Sequence, residues 1–148
     1  MFKRILVPTD GSQFSQDTAR RAVSLAKDAG AIIFAFYVKP EYPSSYYSEG
    51  VVFDSTPPGR FKELAEHEAQ EIVGFVENLC KEGGVKCSKL VVASGVIYKA
   101  IIEAATQNDC DLIFMASHGR RGLSALLLGS ETHKVLTHSK IPVLVYRE

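Results

Sequence analysis

The sequence predicts an α/β fold: an open, doubly wound, parallel sheet of five strands in the order 3-2-1-4-5. Three observations lead there. Short apolar runs alternate along the chain with segments of helical periodicity, the pattern of a parallel sheet with right-handed crossovers and helices on both faces. The run at residues 31–38 is apolar at nearly every position, as suits a strand covered on both sides. A length of 148 residues fits one domain, residues 1–148, large enough to bury a sizeable core.

Each element has its own signal. Residues 4–9 form a short apolar first strand ending in a turn. Ser12 can cap a helix running to Ala29, with Phe14, Ala22, Leu25, Ala26 and Ala29 near one face. Gly30 stands in the usual position after a helix end, and residues 31–38 follow as the second strand. Residues 39–59 contain four prolines and three tyrosines without helical periodicity, so they read as a long surface loop, a lid or partner surface. Pro58 can open the second helix, where Phe61, Leu64, Ala65, Ala69, Ile72, Val76, Leu79 and Cys80 recur at threes and fours. Gly83 and Gly84 stop it. Residues 85–93 make the third strand. Residues 98–107 make a helix with Ile101, Ile102 and Ala105 inward, and residues 111–116 the fourth strand. Residues 130–138 make a last helix presenting Val135 and Leu136, and residues 141–146 the fifth strand.

Composition excludes several classes. Seventeen basic residues balance seventeen acidic ones, so no global field draws the chain to nucleic acid or to a membrane surface. No apolar run approaches the ~18 residues of a membrane span, and the N-terminal residues do not read as a signal peptide. Cys80, Cys87 and Cys110 form no CxxC and have no histidine at zinc-ligand spacing, so they read as reduced, buried thiols of a cytoplasmic protein.

The strand order makes a chemical prediction. The chain reverses direction between strands 1 and 4, and ligands of such sheets bind outside the carboxyl ends at that point. The loops at residues 8–12 and 116–130 would face one crevice. In the second loop Gly119 and Gly129 remove side-chain bulk, Ser130 sits at a natural N-cap, and the N–H groups of Glu131 and Thr132 could meet an anion. His118, Arg120 and Arg121 add donors. The same glycines would equally serve an ordinary connection. In the first loop Asp10 could accept from ribose or adenine or help hold a metal, or it could simply organise its own turn before Gly11.

Other sites are weakened by what the chain does not contain. There is no G-x-x-x-x-G-K-[ST], no GxGxxG after the first strand and no G-x-S-x-G elbow. Lone Asp10 does not make the acidic cluster of a phosphoacceptor domain. His133 and His138 point apart on a short helix, and His67 lies on a charged one.

With these residues in view, the chain resembles the universal stress proteins over essentially its whole length. The matching pieces run through Ile5, Leu6, Val7, Pro8, Thr9, Asp10, Gly11 and Ser12, then Tyr37 and Val38. They continue through Asp111 to Gly119 and end on Ile141, Pro142, Val143, Leu144 and Val145. The family's nucleotide-binding branch carries G-x2-G-x9-G-[ST], and here the register is Ala116, two residues, Gly119, nine residues, Gly129 and Ser130. Gly122 does not fit, because nine residues beyond it stands Thr132. The resemblance implies a flavodoxin-like, adenine nucleotide alpha hydrolase-like fold and ATP with Mg²⁺ or Mn²⁺ in the crevice. It implies that Pro8, Thr9 and Asp10 contact adenosine, and that Val38 and Met115 line the base pocket. Ala116, His118 and Gly119 would wrap ribose and phosphates, while Gly129, Ser130, Glu131 and Thr132 bind phosphates. It also implies a homodimer paired through Val143, Leu144 and Val145. Ala116 replaces the usual glycine; at positive φ it would cost about 1 kcal/mol, at negative φ nothing.

The expected role is a stress-response sensor or regulator with an unidentified protein partner and at most slow ATP hydrolysis, since no residue stands out as a base. A self-phosphorylating ATPase, with Ser130, Thr132 or His118 as acceptor, and a nucleotide-free interaction protein are the competing readings.

Overall fold

The computed structural model describes residues 1–41, 57–120 and 127–147. Its elements are β1 (Arg4–Pro8), α1 (Gln13–Ala29), β2 (Ile32–Lys39), α2 (Pro58–Gly83), β3 (Cys87–Ala93), α3 (Ile97–Gln107), β4 (Leu112–Ala116), α4 (Ser130–His138) and β5 (Val143–Tyr146). The sheet is parallel throughout, ordered β3-β2-β1-β4-β5, as the alternation of strand and helix predicts. Most of the expected loop at residues 39–59 lies outside the described residues.

The period-two geometry of the strands divides the core between two faces. Ile5, Val7, Ile33, Ala35, Leu112 and Phe114 point to one side, where Ala19, Ala22, Val23 and Ala26 of α1 and Val73, Val76 and Cys80 of α2 cover them. Leu6, Phe34, Phe36, Ile113 and Met115 point to the other, under Ala100, Ile101, Ala104 and Ala105 of α3 and Val135 of α4. β1 lies at the centre, with Leu6 level with Phe34 of β2 and Ile113 of β4. Helices on both faces leave the carboxyl ends of the central strands open for a site.

Several boundaries move for identifiable reasons. β1 ends at Pro8 rather than at residue 9. β3 starts at Cys87 rather than 85, because Gly84 turns left-handed (φ 70°) and the Val85 N–H closes back on the Cys80 carbonyl at 2.8 Å. β5 starts at Val143 rather than 141, because the Ser139 hydroxyl takes up both the N–H and the carbonyl of Ile141. Leu136, expected inward, is 41% exposed, because α4 meets the core through Val135. Ile102 is only half-buried, with Ala104 on the inner face instead.

Candidate functional site

The β1–α1 connection is built around Asp10. Ser12 caps α1 as its sequence position predicts, its hydroxyl accepting from the Ser15 N–H. Asp10 Oδ1 accepts from the Ser12 N–H at 2.9 Å and from the Ser15 hydroxyl at 2.7 Å. Asp10 Oδ2 accepts from the Arg120 N–H at 2.9 Å, across the gap from the β4–α4 loop. Burial alone would raise the Asp10 pKa, but these hydrogen bonds from Ser12, Ser15 and Arg120 outweigh it and hold the carboxyl below its ordinary value. Gly11 makes the turn at φ 81°, and a Cβ there would lie 2.9 Å from Ile72 of α2. A left-handed backbone and a tight neighbour both demand glycine at this position.

The β4–α4 connection leaves the sheet at Ala116. Asp109 alone among the described non-glycine residues has positive φ, so the Ala116 methyl brings no left-handed strain. The Ser117 N–H bonds the Tyr146 carbonyl, and the Gly129 N–H returns to the Ser117 carbonyl at 2.7 Å, pinching the two ends of the loop together. A Cβ on Gly129 would stand 3.0 Å from His118 Cα, and one on Gly119 would stand 2.7 Å from Asp10 Oδ2. Neither glycine has a positive φ; both are needed for close approach. His118 stacks on Phe14 of α1 with ring centroids 4.4 Å apart, and its Nδ1 lies 3.2 Å from the Ser117 hydroxyl. Residues 121–126, which include Arg121 and Gly122, lie outside the described residues.

The start of α4 corrects one expectation. Gly129, extended at φ −61° and ψ 153°, is the N-cap, and Ser130 is the first helical residue. The Gly129 carbonyl accepts the His133 N–H at 3.0 Å. No side chain caps this end, so the first-turn N–H groups remain for another acceptor. The buried Thr132 hydroxyl donates to the Ala116 carbonyl at 2.8 Å, fastening α4 to the end of β4. Glu131 places Oε1 3.6 Å from Lys134 Nζ, while its buried Oε2 has no hydrogen-bond partner.

These two loops enclose a crevice of about 800 Å³ at the carboxyl ends of the central strands. Pro8, Thr9, Asp10, Val38, Met115, Ala116, His118, Gly119, Gly129, Ser130, Glu131 and Thr132 all line it. The strand order thus brings together the twelve residues that the resemblance assigns to binding, while Arg121, also expected as a donor, lies outside the described residues. Ser15, Phe36, Tyr37, Ile97, Ile101, Leu127 and Leu128 also line it and were not foreseen; Arg120, expected as a donor, is there too. Ile97 and Ile101, one turn apart at the start of α3, were detectable as a pair of the same helix face. Phe36, Val38, Ile97, Ile101 and Met115 give the crevice an apolar wall, and Asp10, Arg120, Ser130 and Glu131 give it a polar rim. Tyr37 lies near that rim, where burial and then the Glu68 carboxylate raise its pKa. The Arg120 guanidinium lies 3.9 Å from Glu68.

An open parallel α/β sheet with a deep crevice where its strand order reverses defines the class of protein. Comparison with known proteins narrows it: the chain belongs to the universal stress protein family, whose model matches residues 1–147. It is 34% identical to universal stress protein MJ0531 of Methanocaldococcus jannaschii, an alignment covering 100% of this chain and 84% of the relative. The solved structure of MJ0577 from the same organism superposes with a TM-score of 0.81 at 26% identity, covering 100% of this chain and 97% of that one. The fold is also that of a universal stress protein from Archaeoglobus fulgidus solved in complex with dAMP. That match has a TM-score of 0.66 at 17% identity and covers 98% of this chain and 97% of the other. No helix among the described residues is long and apolar enough to cross a membrane.

Proposed function

We propose that this chain binds an adenine nucleotide, ATP with Mg²⁺ or Mn²⁺, in the crevice and works as a stress-response regulator rather than as an enzyme of rapid turnover. The observation that carries this reading is the uncapped first turn of α4, at the edge of a crevice lined by Gly119, Gly129 and an apolar wall. A volume of about 800 Å³ suits a nucleotide. The base lies against Val38, Ile101 and Met115. The phosphates meet the N–H groups of Ser130, Glu131 and Thr132, favoured by the helix dipole. Asp10 keeps lone pairs beyond its three hydrogen bonds for a ribose hydroxyl or a metal-bound water. Among the described residues no three His, Cys, Asp or Glu side chains gather into a metal site, so phosphate oxygens and water supply most ligands of the accompanying cation. The dAMP held by the Archaeoglobus fulgidus relative supports the adenine part of this assignment.

Titration calorimetry with ATP and Mg²⁺ tests the reading. Binding in the micromolar range is expected, and no heat up to millimolar ATP would overturn it. Pairing of β5 with its copy would make the regulator a homodimer: β5 is an outer strand, and Leu144 is 37% exposed on it. Light scattering from the purified chain is expected to give twice the chain mass, and a monomer at the working concentration refutes the pairing.

A further inference from the structure

Two of the three cysteines meet, far from the crevice's proposed ligands. Cys80, on the last turn of α2, is fully buried, and Cys87, the first residue of β3, is half-buried on an outer strand of the sheet. The helix runs back along that strand in a fixed register. Lys89, two residues after Cys87, places its ammonium 3.5 Å from the carboxylate of Glu77, three residues before Cys80. Three helical residues rise about 4.5 Å and two strand residues about 6.6 Å. The charged pair and the cysteine pair are therefore neighbouring rungs of one seam between α2 and β3. On the second rung Cys87 packs against the core cluster that holds Cys80, and the two thiols interact electrostatically, while the Cys87 thiol also donates to the Ser88 carbonyl at 3.7 Å. The turn at Gly84 and the Val85-to-Cys80 backbone bond hold this return in place.

We propose that Cys80 and Cys87 form a dithiol that a hydroperoxide oxidises to an intramolecular disulfide, tying the end of α2 to β3. The two sulfurs are unequal in the way such chemistry requires. The interaction with Cys80 holds the Cys87 thiol below its ordinary pKa against the effect of burial, with Lys89 helping, while Cys80 is pushed up. Cys87, the reachable one, attacks as a thiolate. Its sulfur bonds one peroxide oxygen, the O–O bond breaks, and the departing hydroxide takes up the thiol's proton as water. Cys87 is then a sulfenic acid and no longer a thiolate beside Cys80, which removes the largest cause of the high Cys80 pKa. The Cys80 sulfur attacks that of Cys87, the S–S bond forms, the S–O bond breaks, and the Cys80 proton leaves with the hydroxide as a second water. The pair loses two electrons and the peroxide gains them. Cys110 serves as internal control: it is buried in the core on the other face, and burial pushes its thiol up to about 11.

The test treats the reduced full-length chain with hydrogen peroxide, blocks remaining thiols with N-ethylmaleimide in denaturant, and reads the intact mass and tryptic peptides. The expected product is a single chain carrying one maleimide, on Cys110. Cleavage after Lys81 and Lys86 separates the two cysteines, so peptides 63–81 and 87–89 travel together only through the disulfide. A Cys80→Ala variant is expected to stop at the sulfenic acid, captured by dimedone on Cys87, and Cys87→Ser to keep both remaining thiols reduced. Three maleimides on treated wild type, a link through Cys110, or a link between two chains would each overturn the proposal. Should Cys80→Ala fail to fold, the wild type and the half-buried Cys87→Ser decide it by the same readings.

Discussion

The two loops that face each other across the crevice spend their polar groups in opposite ways. In the β1–α1 loop nearly everything is committed: Ser12 caps α1, and Asp10 accepts three hydrogen bonds, one of them from the far side. In the β4–α4 loop the backbone is pinched at Ser117 and Gly129, yet the start of α4 is left without a side-chain cap. On the proposed function one loop is a scaffold and the other a receptor, with Asp10 clasping them together. The glycines divide in the same way. Gly11 is required by its own left-handed backbone, whereas Gly119 and Gly129 are required by what must lie next to them. Ala116 belongs to neither group, which explains how this chain can carry alanine where the family pattern has glycine.

The sharpest way to break this division is Gly119→Val. A Cβ at that position would stand 2.7 Å from Asp10 Oδ2, closer than any real contact allows. The receptor loop must withdraw, and the Arg120 N–H leaves Asp10 with it. ATP affinity measured by calorimetry is expected to fall about 100-fold, equivalent to about 2.7 kcal/mol. Circular dichroism is expected to show the fold retained, since the β1–α1 loop keeps its own hydrogen bonds. Unchanged affinity would mean that the clasp does not set the receptor loop.

What the sequence disclosed about this arrangement follows from how local each feature is. β2 was legible because residues covered on two faces leave an unbroken apolar run, and Ser12 because a side-chain cap leaves a side chain to read. Strand order placed the loops of Asp10 and Gly119 in one crevice and spacing singled out Gly119, but their direct approach emerges only in the structure. The cap at Gly129 escaped notice because a backbone cap leaves no chemical trace, so Ser130 took its place in the expectation. Ile101 reads as an ordinary inward helix residue and Ile97 falls just before the expected helix start at residue 98; only the packing of α3 over the sheet makes them crevice wall. Leu136 was misplaced because the short α4 shows too few apolar positions to define its inner face. The meeting of Cys80 and Cys87 depends on the register of α2 against β3, which no local periodicity encodes.

A gentler change, Asp10→Asn, sharpens the comparison by removing charge without removing bulk. Two carboxylate oxygens receive three donors, whereas an amide offers one oxygen and one NH₂. If the amide oxygen serves Ser12 and Ser15, the NH₂ group confronts the Arg120 N–H, donor against donor; the flipped amide keeps Arg120 but confronts the Ser12 N–H in the same way. The loss is expected to be about 1–2 kcal/mol at neutral pH, the low end for charged hydrogen bonds because the carboxylate is partly exposed. The acid dependence has a definite sign. The folded Asp10 has its pKa lowered from 3.8, so its stabilisation is fully present above 3.8 and is lost as pH falls through the lower folded value. Urea denaturation of both proteins is therefore expected to show the full gap near neutrality and a shrinking gap below 3.8, as the wild-type carboxylate takes up its proton. A gap that widened in acid would require Asp10 to be held as the protonated acid, and the two loops would then be joined by something other than this carboxylate.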